Sequence, residues 1–119
     1  MTLFAERKPL THKAAMQTFG ERVVALALKI PPGRVTTYKI LARKAGGGGM
    51  AHRSVTAILG KAWKEGEHAI PWHRIVYSDG RVWISASTKK KRLALYKKEK
   101  IALDKNNRIE FFMDKLYEF

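Results

Sequence analysis

The chain holds 119 residues, enough for one domain rather than two, and its 45% apolar content suffices for one modest core. Its 24 Lys and Arg against 10 Asp and Glu leave a formal charge of +14. Such an excess favours nucleic acid as partner, ahead of an anionic membrane surface or an acidic protein, because each cation near a phosphate releases condensed counterions. With no cysteine in the sequence, disulfides, thiolate-ligated zinc, thiol redox switching and thiolate nucleophiles are all excluded. The longest uninterrupted apolar run, Val23 to Leu28, is far short of the roughly 20 residues that span a bilayer. The first residues, with Glu6 and Pro9 among them, lack a basic lead into an apolar signal core, so a cytoplasmic protein, nucleoid-associated when bound to DNA, is expected.

Residues 1 to 17 show no sustained period and are expected to form an arm packing in places through Leu3 and Phe4; residues 18–119 form the single domain. Phe19, Val23, Leu26 and Ile30 recur at helical spacing until Pro31, Pro32 and Gly33 stop the helix. Thr36 and Thr37 are each able to cap a short second helix holding Tyr38, Leu41, Ala42 and Ala45, which ends at Gly46 to Gly49. A third helix is predicted from Met50 to about Lys64, with Ala51, Val55, Ile58, Leu59 and Ala62 facing inward and His52, Arg53, Thr56 and Lys61 outward. This is the outline of a helix-turn-helix, an outline that any three-helix domain can show.

Beyond Glu67 the pattern changes to β-branched and aromatic residues. Arg74 to Tyr77 and Arg81 to Ile84 flank Ser78, Asp79 and Gly80, the signal of a hairpin, which would make a wing. A basic helix is predicted from about Thr88 to Lys100, with Leu93, Tyr96 and Ile101 as its apolar contacts. Lys89, Lys90, Lys91 and Arg92 at its start oppose the helix macrodipole, as an anion-binding cluster or as a solvated charged face. The tail, with Phe111, Phe112, Leu116, Tyr117 and Phe119, is too apolar for disorder and is expected to dock as a strand or irregular lid.

The most specific stretch is Ile70-Pro71-Trp72-His73-Arg74-Ile75-Val76. It resembles the active-site segment of the O6-alkylguanine-DNA alkyltransferases, which read Pro-Cys-His-Arg-Val, with Trp72 standing where that family has its nucleophilic cysteine. Together with Ile30-Pro-Pro-Gly-Arg-Val-Thr-Thr-Tyr38 and Arg53-Ser-Val, it is similar to the alkyltransferase-like proteins, in which tryptophan commonly replaces the cysteine. The resemblance runs from about Phe19 to Glu99 and implies a mainly α fold with a small β wing, a winged helix-turn-helix like the C-terminal domain of the alkyltransferases.

Alkyl transfer needs a soft, deprotonated sulfur, and an indole has a neutral N–H and no free lone pair for displacement, so no enzyme activity is expected. His73 and Glu99 match the family's relay positions and are read as structural remnants; Ser85 is the one conceivable substitute nucleophile, and no residue is marked as its base. The resemblance assigns Arg53 as the finger that fills the stack vacated by a flipped nucleotide, and Tyr38 as the tyrosine that crowds the target's 3′ phosphate. The residues alone favour Arg53 as a phosphate clamp and Tyr38 as a core aromatic next to the cap. Tyr38, Leu59, Pro71, Trp72, Val82, Trp83 and Ser85 are the expected lesion pocket, Trp83 alternatively packing on the fourth helix, and Trp63 belongs to the core or its rim. Thr37, Lys39, Ala51, Ser54, Arg74 and Ser78 are expected beside Tyr38 and Arg53 in the DNA contact surface.

Some positions depart from the family pattern. Thr56 and Ala57 replace two glycines after the finger arginine, the glycine turn is about one residue longer, and the stretch from Arg53 to Trp72 about two. The hinge asparagine is missing around Ala62 to Gly66, and Ser85 stands where a pocket tyrosine is common. His12, His52, His68 and His73 lack metal-ligand spacing, and Gly46 to Gly49 lack the lysine and hydroxyl of a phosphate loop, so neither metal nor cofactor is expected. The expected protein is thus a monomeric sensor of O6-alkylguanine in duplex DNA, docking in the minor groove and passing lesions to a damage-recognition protein of nucleotide excision repair. The alternative is a sequence-specific winged-helix regulator, which explains the charge but gives no reason for Pro71-Trp72-His73-Arg74.

Overall fold

The structure, a computed structural model, describes residues 17–119, so the expected N-terminal arm lies, apart from Gln17, outside the described residues. Helix α1 (Phe19–Ala27) starts at a reciprocal cap: Glu21 N–H donates to Thr18 Oγ1 at 3.1 Å and Thr18 N–H donates to Glu21 Oε1 at 2.9 Å. The helix stops one turn short of Ile30, which nevertheless enters the core from the turn that follows. Strand β1 (Thr36–Thr37) leads directly into α2 (Tyr38–Lys44). Only Thr37 caps this helix, accepting from Ile40 N–H at 3.0 Å; Thr36 lies within the strand, its buried hydroxyl without a partner among the described residues.

The glycine turn follows for a steric reason. A Cβ on Gly47 would stand 2.6 Å from the Ala51 Cβ and 2.7 Å from the Phe19 ring, so only a bare backbone lets the turn close onto α1. A 3₁₀ turn (Ala51–Ser54) then opens α3 (Val55–Lys64), so the predicted third helix forms with a tighter first turn and with Met50 exposed outside it. Val23, Ala27, Ile30, Leu41, Val55, Leu59, Ile70 and Ile75 are among the residues that make the core of this three-helix unit.

A second 3₁₀ turn (Trp72–Arg74) feeds β2 (Ile75–Val76), which pairs in parallel with β1, Thr36 opposite Ile75 and Thr37 opposite Val76. Because successive strand residues point to opposite faces, Ile75 enters the three-helix core. Val76 enters a second core with Val35, Val82, Tyr96, Ile101 and Ile109. The domain is therefore mainly helical with a small two-stranded sheet between its cores.

The hairpin pairing predicted within the wing is corrected. Its turn forms, with Tyr77 N–H donating to the Arg81 carbonyl at 3.0 Å, but no ladder follows it. Arg81 instead bridges antiparallel to Arg108, and Val82 N–H donates to the Asn107 carbonyl at 2.9 Å. Asp79 braces this arrangement, accepting from both the backbone N–H and the Nε of Arg81 and pairing with Arg108 at 3.5 Å. The tail thus supplies the partner that the local pattern assigned to the outgoing limb of the turn.

In α4 (Lys89–Lys98), Tyr96 is buried and Leu93 is exposed, contrary to expectation. The inward line of this helix runs Arg92, Tyr96, Glu99 at spacings of four and three, which turns Leu93 outward. Ile101 is buried just beyond it. The tail forms a one-turn helix α5 (Phe112–Lys115) that lays Phe112 on Gly80, then runs alongside Val35 through a parallel bridge at Leu116. Arg34 clasps it by donating to the Lys115 and Leu116 carbonyls, its guanidinium 5.7 Å from the Tyr117 ring centre. Among the described residues, no helix is long and apolar enough to cross a membrane.

Leu59 is fully buried at the centre of the three-helix core. Leu59→Ala is expected to destabilise the domain by about 2–5 kcal/mol, read as a lower urea midpoint, with the helical circular dichroism retained.

Candidate nucleic-acid interface

The two paired strands each deliver a tyrosine at their C-terminal ends. Tyr38 follows Thr37, Tyr77 follows Val76, and their ring centres lie 5.9 Å apart. These rings form one side of a cavity of about 410 Å³, whose lining is completed by Thr56 of α3, Trp72 of the 3₁₀ turn, Trp83 and Arg92 of α4. That size lies within the range of small-ligand sites, roughly 300–1,000 Å³. Trp63 packs against Trp72, with ring centres 6.4 Å apart, and against His68, with ring centres 4.8 Å apart, both pairs tilted. Across the cavity the Arg92 guanidinium lies 5.6 Å from the Trp83 ring centre and donates to the Trp83 carbonyl at 3.0 Å, which fixes the half-exposed indole.

Burial raises the Tyr38 phenol above its ordinary pKa, and the neighbouring Tyr77 adds to this, while Thr56 and Arg92 pull the other way. Tyr38 therefore presents a neutral O–H at physiological pH. The lining offers aromatic faces, hydroxyls, an indole N–H and one cation, and it contains neither thiol nor carboxylate. Such a set can stack on and hydrogen-bond a planar base.

Behind this wall, His73 is buried and its Nε2 lies 2.8 Å from Glu99 Oε2. Glu99 also accepts from Arg74 Nη2 at 2.6 Å and from Gly33 N–H at 3.0 Å. The Tyr96 hydroxyl donates to the His73 carbonyl at 2.6 Å, and burial raises its pKa. Burial alone raises the Glu99 carboxyl, but the hydrogen bonds from Arg74, His73 and the Gly33 amide outweigh it and hold the group down to about 2. Burial lowers the His73 imidazole against the opposing pull of Glu99.

The expected pocket residues divide. Tyr38, Trp72 and Trp83 meet in the cavity, and Leu59, Pro71, Val82 and Ser85 do not line it. Leu59 faces the opposite side of α3, into the core; Pro71 is buried; Val82 belongs to the second core; and Ser85 bonds Thr88 Oγ1 at 2.9 Å to close the turn before α4. Thr56, Tyr77 and Arg92 join the lining unanticipated. Spacing marks two of them, since Thr56 is one turn beyond Arg53 and Arg92 one turn before the apolar Tyr96.

The expected DNA-contact residues divide too. Arg53, Ser54 and Ser78 are exposed, and Lys39 and Ala51 line a hollow of about 300 Å³ beside the glycine turn, with Arg43 and His52. Thr37 is buried, its hydroxyl spent on the α2 cap. Arg74 is turned inward, its guanidinium engaged by Glu99 and by the Ile30 carbonyl at 3.0 Å. Neither is free for phosphate.

A helix-turn-helix whose aromatic cavity takes Trp72 of the Pro71-Trp72-His73-Arg74 segment into its wall defines a DNA-binding domain of the alkyltransferase class. Residues 18–101 match the family described as 6-O-methylguanine DNA methyltransferase, DNA binding domain. The chain belongs to this family, as an alkyltransferase-like protein. It is similar to the DNA base-flipping proteins of Escherichia coli (strain K12) and Shigella flexneri, in each case 38% identical over 80 residues. That match covers 66% of this chain and 60% of the length of each relative. Its fold is shared with S. pombe Atl1 in complex with damaged DNA containing O6-carboxymethylguanine, with TM-score 0.63 and 25% identity over 86% of this chain and 98% of that one. A second S. pombe ATL–DNA complex superposes with TM-score 0.57 at 24% identity over the same shares.

The buried His73–Glu99 pair contributes to the pH dependence of folding. The His73 and Glu99 values in the folded protein lie below their ordinary 6.5 and 4.5, so the unfolded chain binds more protons on acidification. Stability is expected to be full above pH 6.5, to fall as His73 takes up its proton, and to fall again from pH 4.5 towards about 2 with Glu99. Glu99→Gln should flatten the lower limb and cost about 3 kcal/mol at neutral pH, because it leaves Arg74 buried without its counter-charge; urea unfolding at stepped pH measures both.

Proposed function

We propose that this protein is a non-catalytic reader of alkylated DNA, which binds O6-alkylguanine in a duplex, holds the flipped nucleotide in the aromatic cavity and leaves the alkyl group in place. The observation that carries this reading is the indole of Trp72 in the cavity wall of a chain without cysteine. An indole cannot take up the alkyl group, yet its face and N–H suit a planar base. Support also comes from the 38% identity to proteins named for base flipping and from the fold shared with Atl1 on damaged DNA.

Flipping costs a few kcal/mol and leaves a gap in the stack. Exposed Arg53, at the entry to α3, has the planar guanidinium to fill it, and Tyr38 the stiff ring to crowd the target's 3′ phosphate. In this reading the Ala51–Ser54 turn and the start of α3 dock in the minor groove. Lys39, Arg43 and His52 at the adjacent hollow then add cationic contacts to the backbone. The protein acts as a monomer, and the bound lesion is passed to a damage-recognition protein of nucleotide excision repair.

Fluorescence anisotropy with matched duplexes tests the reading. The O6-methylguanine duplex is expected to bind more tightly than its undamaged counterpart. Arg53→Ala and Tyr38→Ala should each erase about tenfold of that preference, the order expected for loss of one stacking contact. The recovered oligonucleotide should keep its full mass; equal affinity for both duplexes, or loss of the methyl group, would overturn the reading.

A further inference from the structure

We infer that Arg92 gives the cavity a preference for O6-adducts that end in a carboxylate. This rests on the lesion-reading function proposed above and concerns the class of adduct. Arg92 is the one charged residue in the cavity lining. The neighbouring Lys89, Lys90 and Lys91 are exposed to solvent, whereas Arg92 is half-buried, its guanidinium 5.6 Å from the Trp83 ring centre, with N–H groups engaged by the Trp83 carbonyl and the Tyr96 hydroxyl.

A guanidinium carries five N–H donors, so most remain for a ligand. Among the described residues no carboxylate pairs with it: Glu99 is occupied by Arg74 and His73, and Asp79 by Arg81 and Arg108. A half-buried cation, oriented and without a counter-charge, attracts an anion within its own cavity more strongly than a solvated lysine does. The lining has no acid to repel one. A methyl or other alkyl group uses only the aromatic walls. A carboxymethyl group of similar reach adds a charge-assisted, bidentate contact with the guanidinium.

The experiment compares duplexes carrying O6-carboxymethylguanine, O6-propylguanine and plain guanine, by equilibrium binding at low and raised salt. The wild type is expected to hold the carboxymethyl duplex about tenfold more tightly than the propyl duplex, the worth of one hydrogen bond to a charged group. That ratio should fall towards one in Arg92→Gln, be kept only in part in Arg92→Lys, which retains the charge without the bidentate fork, and shrink as salt rises. Near-ultraviolet circular dichroism of each variant reports that the tryptophan environment is intact. The inference is overturned if the two adducts bind alike, if Arg92→Gln leaves their ratio unchanged, or if it weakens all three duplexes equally, as a plain phosphate clamp would. If neither adduct is preferred over plain guanine, the lesion-reading function itself fails and takes the inference with it.

Discussion

The carboxylate of Glu99 ties together parts of the chain that are distant in sequence: the Pro-Pro-Gly turn through the Gly33 amide, the Trp72 segment through His73 and Arg74, and the C-terminal end of α4, where it resides. One oxygen pair therefore sets the position of the cavity's Trp72 wall relative to the helix that carries Arg92. Taking a carboxylate out of water is expensive, and it is tolerated here because a guanidinium, an imidazole and a backbone amide all point at it. The His73–Glu99 pair is a structural fastening, in which burial favours the neutral imidazole and the surrounding donors favour the ionised carboxylate.

The surplus of positive charge is distributed unevenly in function. Arg22 clasps the Ala45 and Gln17 carbonyls beside the glycine turn, Arg34 clasps the tail, and Arg74 is neutralised by Glu99. Several arginines thus act as internal ties, exploiting a planar fork that a lysine lacks. The lysines of α4 remain at the surface. In the proposed reading, the cationic groups that face DNA include those around the glycine turn and the entry to α3, together with Arg92 in the cavity.

The helix-turn-helix was legible because its signals are local: the Thr18 and Thr37 caps, the periodic apolar residues of α1 and α3, and the glycines between them. The motif around Trp72 was legible through family resemblance, and Tyr38, Trp72 and Trp83, which it singled out, line one cavity. The pairing of the wing's outgoing limb was misread because Asp79-Gly80 announces a turn without saying which segment that limb will join; the partner, Arg108, is remote in sequence. Leu59 and Thr56 illustrate the same limit within one helix. Periodicity separates their faces, but only tertiary packing decides which face meets the core and which the cavity. Arg92 was hidden in a run of cations that reads as a solvated surface, although its spacing from Tyr96 and Glu99 marks it as inward.

The parallel pairing of β1 with β2 has a mechanical corollary. Tyr38 and Tyr77 extend directly from two buried, hydrogen-bonded strands, whose separation is fixed by backbone geometry at about 4.8 Å. Their side of the cavity is an anvil. Trp83 opposite is half exposed and steadied mainly by one arginine. The two walls are therefore unequal: the tyrosine edge is set by paired backbone, and the indole by a cation and one hydrogen bond at the rim.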